Sequence, residues 1–173
     1  MVDTLPGAPQ WFGLILSPWL AGPWLAGAWV ARLDGSVGAG AIAGLSLLAG
    51  TVFAYLAMAG ADATALLPGL PLLALVAGPA FGASGAHVHR GERGRRLAGV
   101  VLGATFTIEG VLLQAAADQP LARALLVAEA VAGVLIAGWI GGRRAGLIVL
   151  AAGAVVLGIV LVSTAILGPV LGE

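Results

Sequence analysis

Residues 105–141 read TFTIEGVLLQAAADQPLARALLVAEAVAGVLIAGWIG, two long apolar runs around the short polar break Asp118-Gln119-Pro120. The first run contains the carboxylate Glu109, and the second contains Glu129. Nowhere else in the chain does a charge lie so far inside apolar sequence. If the break is a tight turn, this pattern predicts two antiparallel membrane helices, each with one acid in its interior.

The two glutamates have matching positions, since Glu109 lies nine residues before Asp118 and Glu129 nine residues after Pro120. At the rise of an α-helix, both lie roughly 12–14 Å below the same membrane surface. An ionised side chain near the bilayer centre costs about 2.5–3.5 kcal/mol. We therefore expect at least one glutamate to be protonated at neutral pH, or the pair to bind a cation. A purely structural pair that hydrogen-bonds neighbouring helices is the alternative.

The composition indicates a membrane protein. Of the 173 residues, 60% are hydrophobic and only 9% are charged, which is too little charge to cover a soluble domain. The formal net charge is zero, so nothing favours nucleic acid as a partner. The chain contains no cysteine, which excludes disulfides and thiolate metal sites.

Apolar segments of about 20 residues match the thickness of a bilayer. They predict an all-α integral membrane protein with a single transmembrane domain over residues 1–173. We expect its six transmembrane helices to form three hairpins. The predicted helices cover residues 11–31, 37–59, 70–88, 97–117, 121–140 and 146–167.

The arginines predict the orientation. All eight basic residues are arginine, and seven fall in the first, third and fifth predicted loops. Basic loops favour the cytoplasmic side, so both termini are expected outside. We expect a multi-pass protein of a bacterial plasma membrane, in contact with the lipid bilayer and forming a homo-oligomer or binding a partner membrane subunit.

Other features give weaker indications. Four residues are candidates for lining a pocket beside the two glutamates, namely Trp19, Trp24, Tyr55 and Gln114, although ordinary packing explains the two tryptophans as well. No cofactor or metal is expected, because His87 and His89 would lie on nearly opposite helix faces. Catalytic motifs are absent from suitable contexts, which disfavours an enzyme.

Three parts of the chain resemble a family of small actinobacterial multi-pass membrane proteins of unknown function. They are SPWLAGPWLAGAWVARLDG, GPAFGASGAHVHRGERGRRLAG and the two glutamate-containing helices. The resemblance extends from about Ser17 to Gly142 and consists of general layout. It implies the multi-pass fold and no activity.

Three functions follow from these patterns. The leading one is binding or translocation of a small solute or ion, with Glu109 and Glu129 at the binding or proton-coupling site. The second is a structural or assembly subunit of a larger membrane complex, which would pack through the small residues Gly99, Gly103 and Gly133. The third is an intramembrane enzyme that modifies lipid.

Overall fold

The computed structural model of the chain is all-helical, and it describes residues 17–59, 69–114, 117 and 120–171. Six α-helices follow one another in this part of the chain, with a short 3-10 turn at His87–His89 before the fourth. Their bounds are α1 Ser17–Asp34, α2 Val37–Ala59, α3 Gly69–Ala86, α4 Gly91–Leu113, α5 Pro120–Gly141 and α6 Arg143–Leu171.

Five of these helices, α2 to α6, are long and apolar enough to cross a membrane. This is consistent with a multi-pass membrane protein. The described part of α1 is 18 residues long and is not among the five. The expected beginning of the first helix at Trp11 lies outside the described residues, as do Asp118 and Gln119 of the polar break.

Each of the three arginine-containing turns includes one glycine in a left-handed conformation. Gly35, Gly91 and Gly142 have φ values of 70°, 67° and 80°, which only glycine adopts without strain. At the first turn, the Ser36 hydroxyl accepts a hydrogen bond from the Ala39 amide at 2.9 Å, as an N-cap does. These glycines reverse the chain within very few residues.

Because the turns are short, α4 and α6 begin earlier than the sequence predicts. The segment 91–96, expected to be loop, forms the first turns of α4, and α6 begins directly at Arg143. Arginine is a good helix former, so the arginines after the left-handed Gly91 and Gly142 continue directly into α4 and α6. In contrast, α2 spans the expected residues 37–59.

The chain divides into two compact units, residues 1–98 and 99–173. In the first unit, α2 runs antiparallel to α3, because Gly44 lies against Gly78 and Gly40 lies against Gly82 and Ala86. These helices approach so closely that a Cβ atom on Gly44 would overlap the backbone of α3. An apolar cluster of Leu20, Leu48, Val52 and Ala74 joins all three helices at one end.

In the second unit, α4, α5 and α6 also pack through small residues. Gly103 of α4 and Gly133 of α5 each lie against the backbone of the other helix. The buried residues Ala137, Ala145 and Val149 join α5 to α6, and partly buried α4 residues pack against them. Small residues allow backbones to approach closely, which is how helices commonly associate in a membrane.

Candidate functional site

The contacts between α4 and α5 define their register. The Cα position of Gly99 faces Ala137 and Gly141, Gly103 faces Gly133 and Ala137, and Gly110 faces Leu126 and Ala130. Residue numbers fall along α5 as they rise along α4, so the helices are antiparallel. In each contact the two facing numbers add up to about 238.

This register brings the two glutamates to the same level, because Glu109 lies opposite position 129. Close backbone contacts lie on both sides of this level, at Gly103 and at Gly110. They agree with the matching positions that the sequence predicts for the two glutamates if the polar break is a tight turn. Both glutamates are half-buried, and each has an interaction partner. Along α4, Glu109 lies about 27 Å from the start of the helix at Gly91.

The two glutamates also lie on the same side of the α4–α5 pair. At 100° per residue, Glu109 is about 120° and Glu129 about 70° from the centre of its helix's contact face. Both offsets from the contact face turn in the same direction when each helix is followed from its N-terminus to its C-terminus. In two antiparallel helices, offsets of the same direction place the two residues on the same side of the pair. Ala104 and Val134 lie on the opposite side of the α4–α5 pair, where they pack against the cluster that joins α5 to α6.

The position of α6 therefore separates the two flanks of the α4–α5 pair. This helix packs on the flank of Ala104 and Val134, and the glutamates lie on the other flank. From the rotation angles and a typical interaxial distance of 8–10 Å, the Cβ atoms at 109 and 129 are roughly 8–10 Å apart. Two carboxyl groups on side chains of this length can bind one ion or share one proton at that separation.

Two polar features hold the α4–α5 pair together near the glutamates. The Thr107 hydroxyl donates a hydrogen bond to the Ala130 carbonyl oxygen at 3.0 Å, across the helix interface. Gln114, expected to line a pocket, donates through Nε2 to the Arg123 carbonyl oxygen at 3.0 Å, and Arg123 Nε donates to the Ala117 carbonyl oxygen at 2.7 Å. Gln114 and Arg123 thus close the connection between the helices.

The three aromatic candidates lie in the first unit. The rings of Trp19 and Tyr55 meet edge to face with centroids 5.7 Å apart. Trp24 is only 5% exposed, and its Nε1 has no hydrogen-bond partner among the residues that the structure describes. A buried N–H without an acceptor is costly, so Trp24 contributes to this unit through the packing of its ring.

The two histidines have structural contacts. His89 Nε2 donates to the Ala28 carbonyl oxygen at 3.1 Å and so joins the 3-10 turn to α1. His87 is half-buried, and its carbonyl oxygen accepts from the Arg90 amide at 2.9 Å. Within the described ranges, no three His, Cys, Asp or Glu side chains form a group suited to a metal ion.

Sequence reasoning missed two features, one in each unit. The hydrogen bond of Thr107 was not expected, although a threonine on a glycine-rich helix face is a usual interhelical donor. The unpaired Trp24 Nε1 has no sequence signal, because it depends on which backbone carbonyls lie nearby. No protein family, curated protein or solved structure matches this chain. The resemblance to an actinobacterial family stays a prediction.

Proposed function

We propose that this multi-pass membrane protein binds or translocates a small solute or ion at the carboxyl pair of Glu109 and Glu129. The observation that supports this most directly is their common level and common flank on the α4–α5 pair. An acid within a membrane span is costly, and such residues usually mark ion pathways or proton relays. Two of them at one level provide a site for a proton or a cation.

The geometry supports coupling to protons because one proton shared between two carboxyl groups removes most of the cost of burying charge. A cation that enters between them displaces this proton. Exchange of a proton for a cation at one site is the basis of many coupled transport cycles.

The alternative function, a structural subunit of a larger complex, was expected to use a glycine surface that is already occupied within the chain. Gly99, Gly103 and Gly133 all lie in the contact between α4 and α5. These glycines are therefore used within the chain, and a partner subunit would have to bind elsewhere. For a lipid-modifying enzyme, the described residues contain no group of three His, Cys, Asp or Glu side chains that could hold a catalytic metal ion.

Proton flux into lipid vesicles tests the proposal. The purified chain is reconstituted into vesicles loaded with a pH-sensitive dye. Proton uptake is driven by a potassium diffusion potential, negative inside, imposed with valinomycin, and in parallel vesicles by an outward sodium gradient, because exchange of one proton for one sodium ion moves no net charge. We expect proton uptake faster than in protein-free vesicles. We also expect its loss in Glu109→Gln and in Glu129→Gln, because the amide keeps the shape and cannot exchange a proton.

Glu92→Gln is the matched control, since Glu92 is exposed in the first turn of α4 and forms an ion pair with Arg96. This variant is expected to conduct like the wild type. The same vesicles with sodium gradients and a sodium-sensitive dye distinguish a sodium site from a proton site. Equal fluxes of both ions in wild type, both glutamine variants and empty vesicles would overturn the proposal.

A further inference from the structure

Five of the eight arginines gather at one end of the first unit. They belong to the last turn of α1, to the link between α3 and α4, and to the first turns of α4. We call them the arginine face: Arg32, Arg90, Arg93, Arg95 and Arg96. Only two acids, Asp34 and Glu92, accompany them in these segments. The strong excess of positive charge makes this end a candidate surface for an anionic partner.

Two hydrogen bonds hold the two arginine-containing segments together. His89 Nε2 donates to the Ala28 carbonyl oxygen at 3.1 Å, and Arg90 Nη2 donates to the Gly35 carbonyl oxygen at 3.2 Å. Because these bonds connect the start of α4 to the end of α1, Arg32 lies at the same end as the other four. The arginine face is therefore a product of the fold and not only of sequence proximity.

The charges are presented outward. Gly94 lies against the His87 carbonyl oxygen, so this side of the first turns of α4 packs on the 3-10 turn. Arg93 and Arg95 flank Gly94 and are exposed, whereas Arg96 is partly buried and forms a 2.7 Å ion pair with Glu92. Cations in the first turns of a helix are opposed by the helix dipole, and an anion bound there relieves the repulsion.

The exposed Trp29 indicates which kind of anionic partner the arginine face would bind. Trp29 is 64% exposed and lies three residues before Arg32, on the same side of α1. Tryptophan is enriched at the level of lipid headgroups. On α4, the arginines are followed directly by the apolar residues 97–108, which can enter the hydrocarbon. Arginine and tryptophan thus meet where the helices leave the bilayer.

We propose that the arginine face binds the phosphate of an anionic phospholipid at the membrane surface. Arg93 and Arg95 supply the exposed guanidinium groups, while Arg90 and Arg96 are partly engaged in holding the turn and pairing with Glu92. Guanidinium groups donate two parallel hydrogen bonds to phosphate oxygens, which favours a phosphodiester headgroup. This inference is independent of the function proposed for the two glutamates.

Native mass spectrometry of the full chain in detergent tests the inference, with phosphatidylglycerol or phosphatidylcholine added as the lipid. Wild type is expected to retain phosphatidylglycerol in preference to phosphatidylcholine. Each arginine near an anionic surface contributes roughly a fivefold gain in binding. The double variant Arg93→Gln/Arg95→Gln is therefore expected to bind phosphatidylglycerol about 25-fold more weakly.

Two further variants make the test specific. Arg93→Lys/Arg95→Lys keeps the charge but loses the paired guanidinium hydrogen bonds, and is expected to bind phosphatidylglycerol more strongly than the glutamine variant and more weakly than wild type. Arg123→Gln removes the arginine in the first turn of α5, which the α4–α5 register places at the opposite end of α4, and is expected to change binding by less than about twofold. A loss in Arg123→Gln as large as the loss per arginine in Arg93→Gln/Arg95→Gln would show diffuse attraction to any arginine and would overturn the proposal.

Inorganic phosphate separates a lipid site from a site for free anions. Added in large excess, it is expected to leave phosphatidylglycerol bound, because the acyl chains of the lipid contribute to retention. Displacement by phosphate, or equal retention of phosphatidylcholine, would contradict the assignment to an anionic lipid. Far-ultraviolet circular dichroism of each variant shows that a loss of lipid is not a loss of helix.

Discussion

Replacement of Gly103 by alanine tests the close approach of α4 and α5, on which the position of the glutamates depends. A Cβ atom at position 103 would overlap the Gly133 carbonyl oxygen and lie 2.7 Å from the Ala137 Cβ. Carbon atoms pack best at about 3.5–4.0 Å, so the helices must separate by about 1 Å. The helix backbone itself would accept alanine readily.

The magnitude follows from three terms. Overpacking of a close contact costs about 1–3 kcal/mol. Separation of the helices also weakens the Thr107–Ala130 hydrogen bond, and such bonds in membrane proteins contribute about 0.6 kcal/mol on average. Alanine offsets about 0.8–1 kcal/mol of this through its helix propensity. We expect the free energy of unfolding to fall by about 0.6–2.8 kcal/mol.

Denaturant unfolding in detergent micelles, followed by tryptophan fluorescence, measures this change. Gly138→Ala and Gly158→Ala are matched controls, because a Cβ atom at either position meets nothing within 4 Å. Both are expected to be as stable as wild type or slightly more stable. An unchanged free energy of unfolding in Gly103→Ala, or an equal loss in the controls, would refute the packing of α4 against α5.

Three further predictions use the same unfolding measurement. Trp24→Phe is expected to cost about 1 kcal/mol or less, because it removes an unpaired N–H, whereas Trp24→Ala creates a cavity and costs about 3–5 kcal/mol; equal costs would contradict the burial of this ring. Thr107→Val is expected to cost about 0.6 kcal/mol, and at most about 1.7, through the lost interhelical hydrogen bond. Thr164→Val, where the hydroxyl bonds only its own helix, should be neutral. Gly91→Ala is expected to cost about 1–2 kcal/mol because alanine strains a positive φ, and stability equal to that of Gly158→Ala would show that the turn does not need glycine.

The helices themselves were readable from the sequence because membrane spans are long and apolar. The residues 37–59 of α2 form an uninterrupted apolar run, and the helix has these bounds. The beginning of α4 was misjudged because four arginines are typical of a loop in a membrane protein. Their place in a helix depends on the positive φ of Gly91, which is not visible in the composition.

The candidate site was readable only in part. The spacing from the polar break predicts that Glu109 and Glu129 lie at one depth, but it carries no information on which flank they occupy. The flank follows from the contact faces, which Gly103, Gly110 and Gly133 define by their backbone contacts. Glycine is so frequent in this chain that its spacing alone does not identify which residues lie at a contact.

The location of the arginine turns relative to the cytoplasm stays a prediction, as does the arrangement of the six helices in three hairpins. Both depend on insertion into a bilayer, where charge asymmetry acts on the loops. The helical structure and its five apolar spans are compatible with either orientation. The proposals for the carboxyl pair and for the arginine face do not depend on the side.

Cysteine cross-linking tests most directly the claim that Glu109 and Glu129 form one site. The chain has no cysteine of its own, so Glu109→Cys/Glu129→Cys presents only the two thiols of interest. We expect rapid intramolecular cross-linking in membranes by a bifunctional thiol reagent that spans about 8–10 Å. Glu109→Cys/Ala128→Cys is the control, because position 128 lies at nearly the same level but faces away from α4. Equal cross-linking of both pairs, or cross-linking of the control alone, would contradict the common flank and with it the carboxyl site.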